Sequence, residues 1–266
     1  MLAAVDAAAW SFAEEHREAV RLPDGAAVAV WENRSLAPVP RPGALRDFYA
    51  LEGHVATANA KRGREVPRAW YEVPVFSFGH AGTIVGPEEA VRKPTETQEL
   101  DFELELACVI GKAGRDIPAT AAWAHVAGLT VLNDWSARDV QRQEMSVGLG
   151  PAKGKDFATS LGPAIVTLDE VADRFDGERH DLAMGARIDG EEVARGNANT
   201  IYWTFPRMIE RASRDVWLEA GDVIGSGTVG GGCLLELGPA VHPWLQPGDE
   251  VESEIERLGR LRNAVV

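Results

Sequence analysis

Cysteine is nearly absent from this chain: Cys108 and Cys233 are the two in 266 residues, too few for a disulfide framework. A single bridge between them fits the count. Both lie in apolar runs, however, and we read them as two buried free thiols in a reducing compartment. Neither has the neighbours that a nucleophilic thiol needs. Positive charge is also scarce. Lys and Arg total 27 against 41 Asp and Glu, a formal net charge of −14, which argues against nucleic acid and against anionic membrane as partners. An anionic substrate then requires a local concentration of base, for which Lys155 and Arg138 are the candidates. No apolar run is long enough to span a bilayer. The start, Met1-Leu2-Ala3-Ala4-Val5-Asp6, has no basic segment and breaks its apolar run with an acid. We therefore expect no signal peptide, no membrane span and a cytoplasmic protein. Internal repeats and low-complexity tracts are lacking too. What remains is a 45% apolar composition, enough for one large domain or two small ones.

The chain reads as a short N-terminal piece and a larger body. Asp6 can cap a helix over Ala7–Val20, ended by Pro23-Asp24-Gly25, and Ala26–Trp31 has strand character. Pro38, Pro40 and Pro42 form a stiff connector, which places a boundary between residues 1–42 and 43–266. From Gly43 to about Arg64 the pattern is mainly helical, with Lys61-Arg62-Gly63-Arg64 as a solvated helix end. Val73–Phe78 reads as a strand. Pro118–Val126 reads as a helix feeding a strand that ends at Asn133, and Ser136 as the cap of a short helix through Arg142. Asp189-Gly190 is a preferred hairpin turn between Leu182–Ile188 and Glu192–Ala194. Phe205–Arg214 is amphipathic and helical. From Asp222 onward short strands alternate with glycine turns.

Asp101-Phe102-Glu103-Leu104-Glu105-Leu106 alternates acid and apolar residues. In a strand this puts the three acids on one face, neighbours roughly 6.5–7 Å apart at Cα. Ala107-Cys108-Val109-Ile110 then carries the strand into the interior. Carboxylates at the mouth of a buried strand repel one another unless a cation, proton or base compensates. Asp134 follows another apolar run, Ala127–Leu132, and is placed to supply a further ligand. Three carboxylates with no Cys or His nearby describe a hard-cation site of the Mg2+ type. Taken alone, the alternation also fits the solvated face of an edge strand, and Arg138 and Asp139 fit helix-surface charges.

These acids, with Asn133-Asp134-Trp135-Ser136-Ala137-Arg138-Asp139-Val140-Gln141, resemble the fumarylacetoacetate hydrolase family. Further segments match in the same order: Arg46-Asp47-Phe48-Tyr49 followed by His54, the lysine loop Gly154–Pro163, the glycine-threonine loop Gly221–Gly230, Cys233–Leu237, and the tail from Pro247 to Asn263. The resemblance runs from about Arg46 to Asn263. It implies an α+β fold, a β-rich mixed roll preceded by a short N-terminal segment, which assembles as a homodimer. It implies Asp47, Glu103, Glu105 and Asp134 as ligands of Mg2+, with Mn2+ or Ca2+ as alternatives. His54 is implied as general base, held by Glu236, with Lys155 and Arg138 as further catalytic groups. Gln141, Tyr49 and Thr228 are implied as substrate contacts.

The activity implied is metal-dependent hydrolysis of a carbon–carbon bond in a small 1,3-dicarbonyl acid, such as an acylpyruvate or a fumarylacetoacetate-like compound. The rival within the family is decarboxylation or tautomerisation of an oxaloacetate-type 2-oxo acid, or hydration of a 2-oxo-alkenoate. A rival of another class, a non-catalytic protein that binds an oxo acid, would be marked by loss of His54 or Glu236, and both are present. Three departures bear on substrate. Val75-Phe76-Ser77-Phe78 stands where the best-studied branch has a tyrosine, Met145 stands where a second is expected, and Arg62 and Arg64 are out of register with that branch's arginine.

Other motifs fail on context. Gly225-Ser226-Gly227-Thr228-Val229-Gly230 matches a dinucleotide fingerprint but leads into more glycine and a strand, not a helix N-terminus. Gly154-Lys155 lacks phosphate-loop spacing. Ser136 has no nucleophile elbow around it. His16, His80, His125, His180 and His242 show no repeated metal spacing.

Overall fold

Leu104–Ile110 is buried along its whole length, and its alternation sorts the core. Leu106, Cys108 and Ile110 join one apolar cluster, while Ala107 and Val109 join a second on the opposite face. The computed structural model describes residues 20–21, 27–28 and 35–266. Its two units are Met1–Leu36 and Ala37–Val266. In the first, Val20–Arg21 pairs antiparallel with Ala27–Val28, the latter within the strand expected there. The helix expected over Ala7–Val20 lies outside the described residues, except that Val20 is strand.

In the larger unit the strands are β1 (Leu45–Phe48), β2 (Phe76–Gly79), β3 (Ile84–Val85), β4 (Leu104–Ile110), β5 (Val126–Asp134), β6 (Thr159–Val166), β7 (Ala183–Ile188), β8 (Glu191–Asn197), β9 (Val223–Gly225), β10 (Glu250–Ile255) and β11 (Gly259–Ala264). The helices are α1 (Glu52–Lys61), α2 (Arg138–Ser146), α3 (Phe205–Ser213) and α4 (Leu234–Leu237). A seven-stranded mixed sheet has the order β2-β1-β9-β4-β5-β6-β3. Within it β9 is parallel to β1 and β3 to β6. The antiparallel sheet β8-β7-β10-β11 contributes Ala186, Ile188, Val251, Ile255 and Leu261 to the first cluster. Each of the buried Ile, Val and Leu side chains is worth about 1.5–3 kcal/mol. The second cluster is closed by Leu45, Leu132, Leu161, Val223 and, from the proline connector, Ala37 and Val39. This is an α+β, β-rich mixed roll.

Four local expectations are corrected. The 43–64 segment is not mainly helical: Leu45–Phe48 is strand β1, and α1 starts only at Glu52. Between β2 and β9 the backbone of β1 finds partners on both sides, and tertiary pairing outweighs local propensity. The segment expected as strand at Cys233–Leu237 forms the four-residue helix α4, because the Asp101 carboxylate accepts the N–H groups of Leu234 and Leu235 at 2.7 and 3.0 Å. Ser136 caps no helix; Ala137 is the N-cap residue of α2, and the Ser136 hydroxyl donates to the Asp134 carbonyl at 3.0 Å. The helix expected over Pro118–Val126 is the 3-10 turn Ala119–His125. The expected hairpin is present, with Asp189 and Gly190 both at positive φ.

Candidate active site

The sheet brings acids from separate parts of the chain to one place. Asp47 lies on β1 and Glu105 on β4, the two neighbours of β9, and Gly225 of β9 is in register with Asp47. A Cβ at Gly225 would come within 2.5 Å of Asp47 Oδ1 and 3.1 Å of Glu105 Oε2, so only glycine fits between the carboxylates. Gly227, at φ +80°, donates its N–H to Glu105 Oε2 at 3.1 Å. The glycine-threonine loop is therefore shaped to carboxylates, not to a nucleotide. Glu103 stands just before β4, its N–H donated to Asn133 Oδ1 at 2.9 Å. Trp135, wholly buried, anchors this turn by donating its indole N–H to Ser160 Oγ at 2.8 Å.

One oxygen each from Asp47, Glu103 and Glu105 lies within 4.8 Å of the others. Asp47 Oδ1 and Glu105 Oε1 are buried without a hydrogen-bond partner. Burial, and then the charge of Asp134, pushes the Asp47 carboxyl up to about 7. Burial and the charge of Asp47 push Glu105 well up. Unpartnered, mutually repelling oxygens with no soft donor among them fit a hard divalent cation. Asp134 is not grouped with this trio; its Oδ2 accepts from Lys155 Nζ at 2.5 Å. Asp101, on the same acidic run, does not join it. The chain leaves the strand at Phe102, and Asp101 pairs with Ser136 in a separate ribbon. Its carboxylate holds Arg138 Nε at 2.7 Å besides capping α4.

The cations are tied to these acids. Lys155 Nζ donates to Glu103 Oε2 at 2.6 Å and to Ser136 Oγ at 2.8 Å in addition to Asp134. Arg138 Nη1 lies 2.7 Å from Glu103 Oε1 and donates to Gln141 Oε1 at 3.2 Å. Burial alone would raise the Glu103 carboxyl, but Lys155 and Arg138 hold it well below the usual range. The third guanidinium nitrogen, Arg138 Nη2, is buried and has no partner, which leaves it for an incoming carboxylate.

On the other side, α1 buries His54, Val55, Ala58 and Asn59. His54 Nδ1 is 2.6 Å from Glu236 Oε1, and Glu236 Oε2 accepts the Gly231 N–H at 3.1 Å. Burial would raise the Glu236 carboxyl, but the bond to His54 brings it below its ordinary value. With Nδ1 engaged, Nε2 is the nitrogen left to act as base. The Tyr49 ring packs edge-on to the imidazole at 5.4 Å.

A cavity of about 510 Å³ opens onto all of the ligands, catalytic groups and substrate contacts that the resemblance implies except Asp134 and Glu236, which are hydrogen-bonded to Lys155 and His54. Gln141, Tyr49 and Thr228 all line it. It also takes in residues that sequence reasoning set aside: Arg62 and Arg64, and the apolar Val75, Phe76 and Met145. Helical phase was the available signal for Arg62, two turns beyond His54 at the end of α1. No described helix is long and apolar enough to cross a membrane.

The family model for the fumarylacetoacetate (FAA) hydrolase C-terminal domain matches residues 44–266. Human mitochondrial oxaloacetate tautomerase FAHD2A is 44% identical over 234 residues, covering 87% of this chain and 69% of that protein. Oxaloacetate tautomerase YisK of Bacillus subtilis is 32% identical, covering 86% and 72%. The crystal structure of fumarylpyruvate hydrolase from Pseudomonas aeruginosa in complex with Mn2+ and pyruvate superposes with a TM-score of 0.69 at 25% identity, covering 88% of this chain and 99% of that one. The chain belongs to the fumarylacetoacetate hydrolase family.

Proposed function

We propose that this protein is a divalent-cation-dependent enzyme that moves a proton between the enol and keto forms of a small 2-oxo dicarboxylic acid of the oxaloacetate type. The observation that carries this reading is the His54–Glu236 pair, 2.6 Å apart, whose imidazole lines the same cavity as Asp47, Glu103 and Glu105. Two relatives that carry the name oxaloacetate tautomerase support it. Asp47, Glu103 and Glu105, together with Asp134, would hold Mg2+ or Mn2+. A bound cation would supply positive charge beside the oxygen that gains electron density as the enolate forms. His54 Nε2 takes the proton from carbon, and Glu236 fixes the ring and stabilises the imidazolium. Arg138 Nη2 receives a substrate carboxylate. Lys155, with Arg138, keeps Glu103 ionised and donates to Asp134. Assembly as a homodimer belongs to the same reading and is checked by light scattering.

Hydrolysis of an acylpyruvate or fumarylacetoacetate-like acid is the second reading. A base held by a carboxylate also suits activation of water, and the cavity's volume is in the range that holds ligands larger than a four-carbon acid. The test supplies enol-oxaloacetate with Mn2+ and follows loss of enol absorbance, deuterium entry at C3 and release of CO2. A parallel panel of acylpyruvates and fumarylacetoacetate is read by product mass. Accelerated ketonisation without CO2 release supports the proposal. Acylpyruvate cleavage without ketonisation replaces it with the hydrolase reading, and no turnover in either arm overturns both.

A further inference from the structure

Cys233 has no part in the chemistry above, yet it stands beside the base. Its Sγ lies 3.9 Å from His54 Nδ1 and 3.6 Å from Glu236 Oε1. Thiol, imidazole and carboxylate each present a ligand atom within 4.8 Å of the other two. Cys233 precedes α4 and Glu236 is its third residue, so their spacing is set within one turn, while His54 comes from α1. We propose that Cys233, His54 and Glu236 form a second cation site, chemically distinct from the carboxylate trio, that takes a soft divalent ion of the Zn2+ and Cd2+ class and switches the enzyme off.

The donor set decides the ion. A thiolate with an imidazole selects Zn2+-class ions, whereas an all-oxygen set selects Mg2+ or Mn2+. Zn–S and Zn–N bonds of roughly 2.3 and 2.0 Å in a tetrahedron place the sulfur about 3.6 Å from the nitrogen. Both sulfur separations are within a few tenths of an ångström of that. The 2.6 Å Nδ1–Oε1 hydrogen bond must open by roughly 0.7 Å, a small rotation of a side chain whose other oxygen is held by Gly231. Three protein ligands leave the fourth position for water. On binding, the Cys233 thiol proton leaves to solvent. The ion takes the Nδ1 lone pair, so the ring proton moves to Nε2. That nitrogen then donates where the reaction needs it to accept, and proton abstraction stops even though the carboxylate trio is undisturbed.

Cd2+ titration of the full chain in excess Mg2+ tests the site directly, through thiolate-to-cadmium charge-transfer absorption in the ultraviolet. We expect a band that saturates at one equivalent and is lost in Cys233→Ser, which retains Cys108. A band that persists unchanged in Cys233→Ser, or no band in the wild type, overturns the proposal. The activity arm rests on His54 as base, whereas the absorption arm does not, so a failure of the proposed function leaves the cation site separately decided. In that arm Zn2+ inhibits the Mn2+-loaded enzyme, excess Mn2+ does not relieve it, and Cys233→Ser loses the sensitivity relative to its own uninhibited rate. Relief by excess Mn2+ would place the zinc on the carboxylates and overturn the switch.

Discussion

Asp47→Asn should stabilise the cation-free protein while abolishing cation binding. In the folded protein Asp47 holds its proton up to about pH 7, against an ordinary 3.8. The folded state therefore binds more protons than the unfolded chain across that window, and stability falls as pH rises from about 4 to about 7. At about 1.4 kcal/mol per pH unit the full cost is about 4 kcal/mol above pH 7. At pH 5 only about a third of it applies. Asparagine keeps the shape and removes the charge. In EDTA at pH 8 the variant should therefore melt about 10 °C above the wild type, at about 2–4 °C per kcal/mol for a unit of this size. The gap should narrow at pH 5. Adding Mn2+ should raise the wild-type midpoint and leave the variant unmoved. Thermal melts in EDTA and in Mn2+ across this pH range supply the measurement. Parallel wild-type and variant curves from pH 5 to pH 8 would refute the view that burying the Asp47 charge, and then its repulsion by Asp134, opposes folding and is relieved by a cation.

His54→Ala should retain Mn2+ binding by calorimetry and lower kcat by about 10²–10⁴-fold; near-wild-type turnover would remove it as base. Gly225→Ala should fold yet lose Mn2+ affinity, since its methyl group meets Asp47 Oδ1 at 2.5 Å, and unchanged affinity would show that the trio is not the cation site. Asp101→Ala leaves Arg138 buried without its Nε partner and exposes the start of α4. It should cost about 3–5 kcal/mol in urea unfolding at unchanged slope, and a loss below about 1 kcal/mol would mean solvent replaces the ion pair.

The period-two run through Glu105 and Ile110 determined, without help from the rest of the chain, that a strand with acids at its mouth enters the core. The dipeptide Asp189-Gly190 determined a hairpin, since few other residues accept positive φ at both positions. The resemblance that runs from about Arg46 to Asn263 pointed to His54 and Glu236 together. Local pattern misread β1 as helix and α4 as strand, because in each case the deciding hydrogen bonds come from distant partners: β9 and β2 for Asp47, and Asp101 for Leu234 and Leu235. Alternation placed Asp101 with Glu103 and Glu105, yet a two-residue break at Phe102 and Glu103 turned it from candidate ligand to the anchor of Arg138. The approach of Cys233 to His54, 179 positions apart, has no sequence signature of its own. Side-chain identity and local periodicity are properties of a few neighbouring residues, whereas a site is an intersection of strands and helices, and only the packed sheet sets which of them meet.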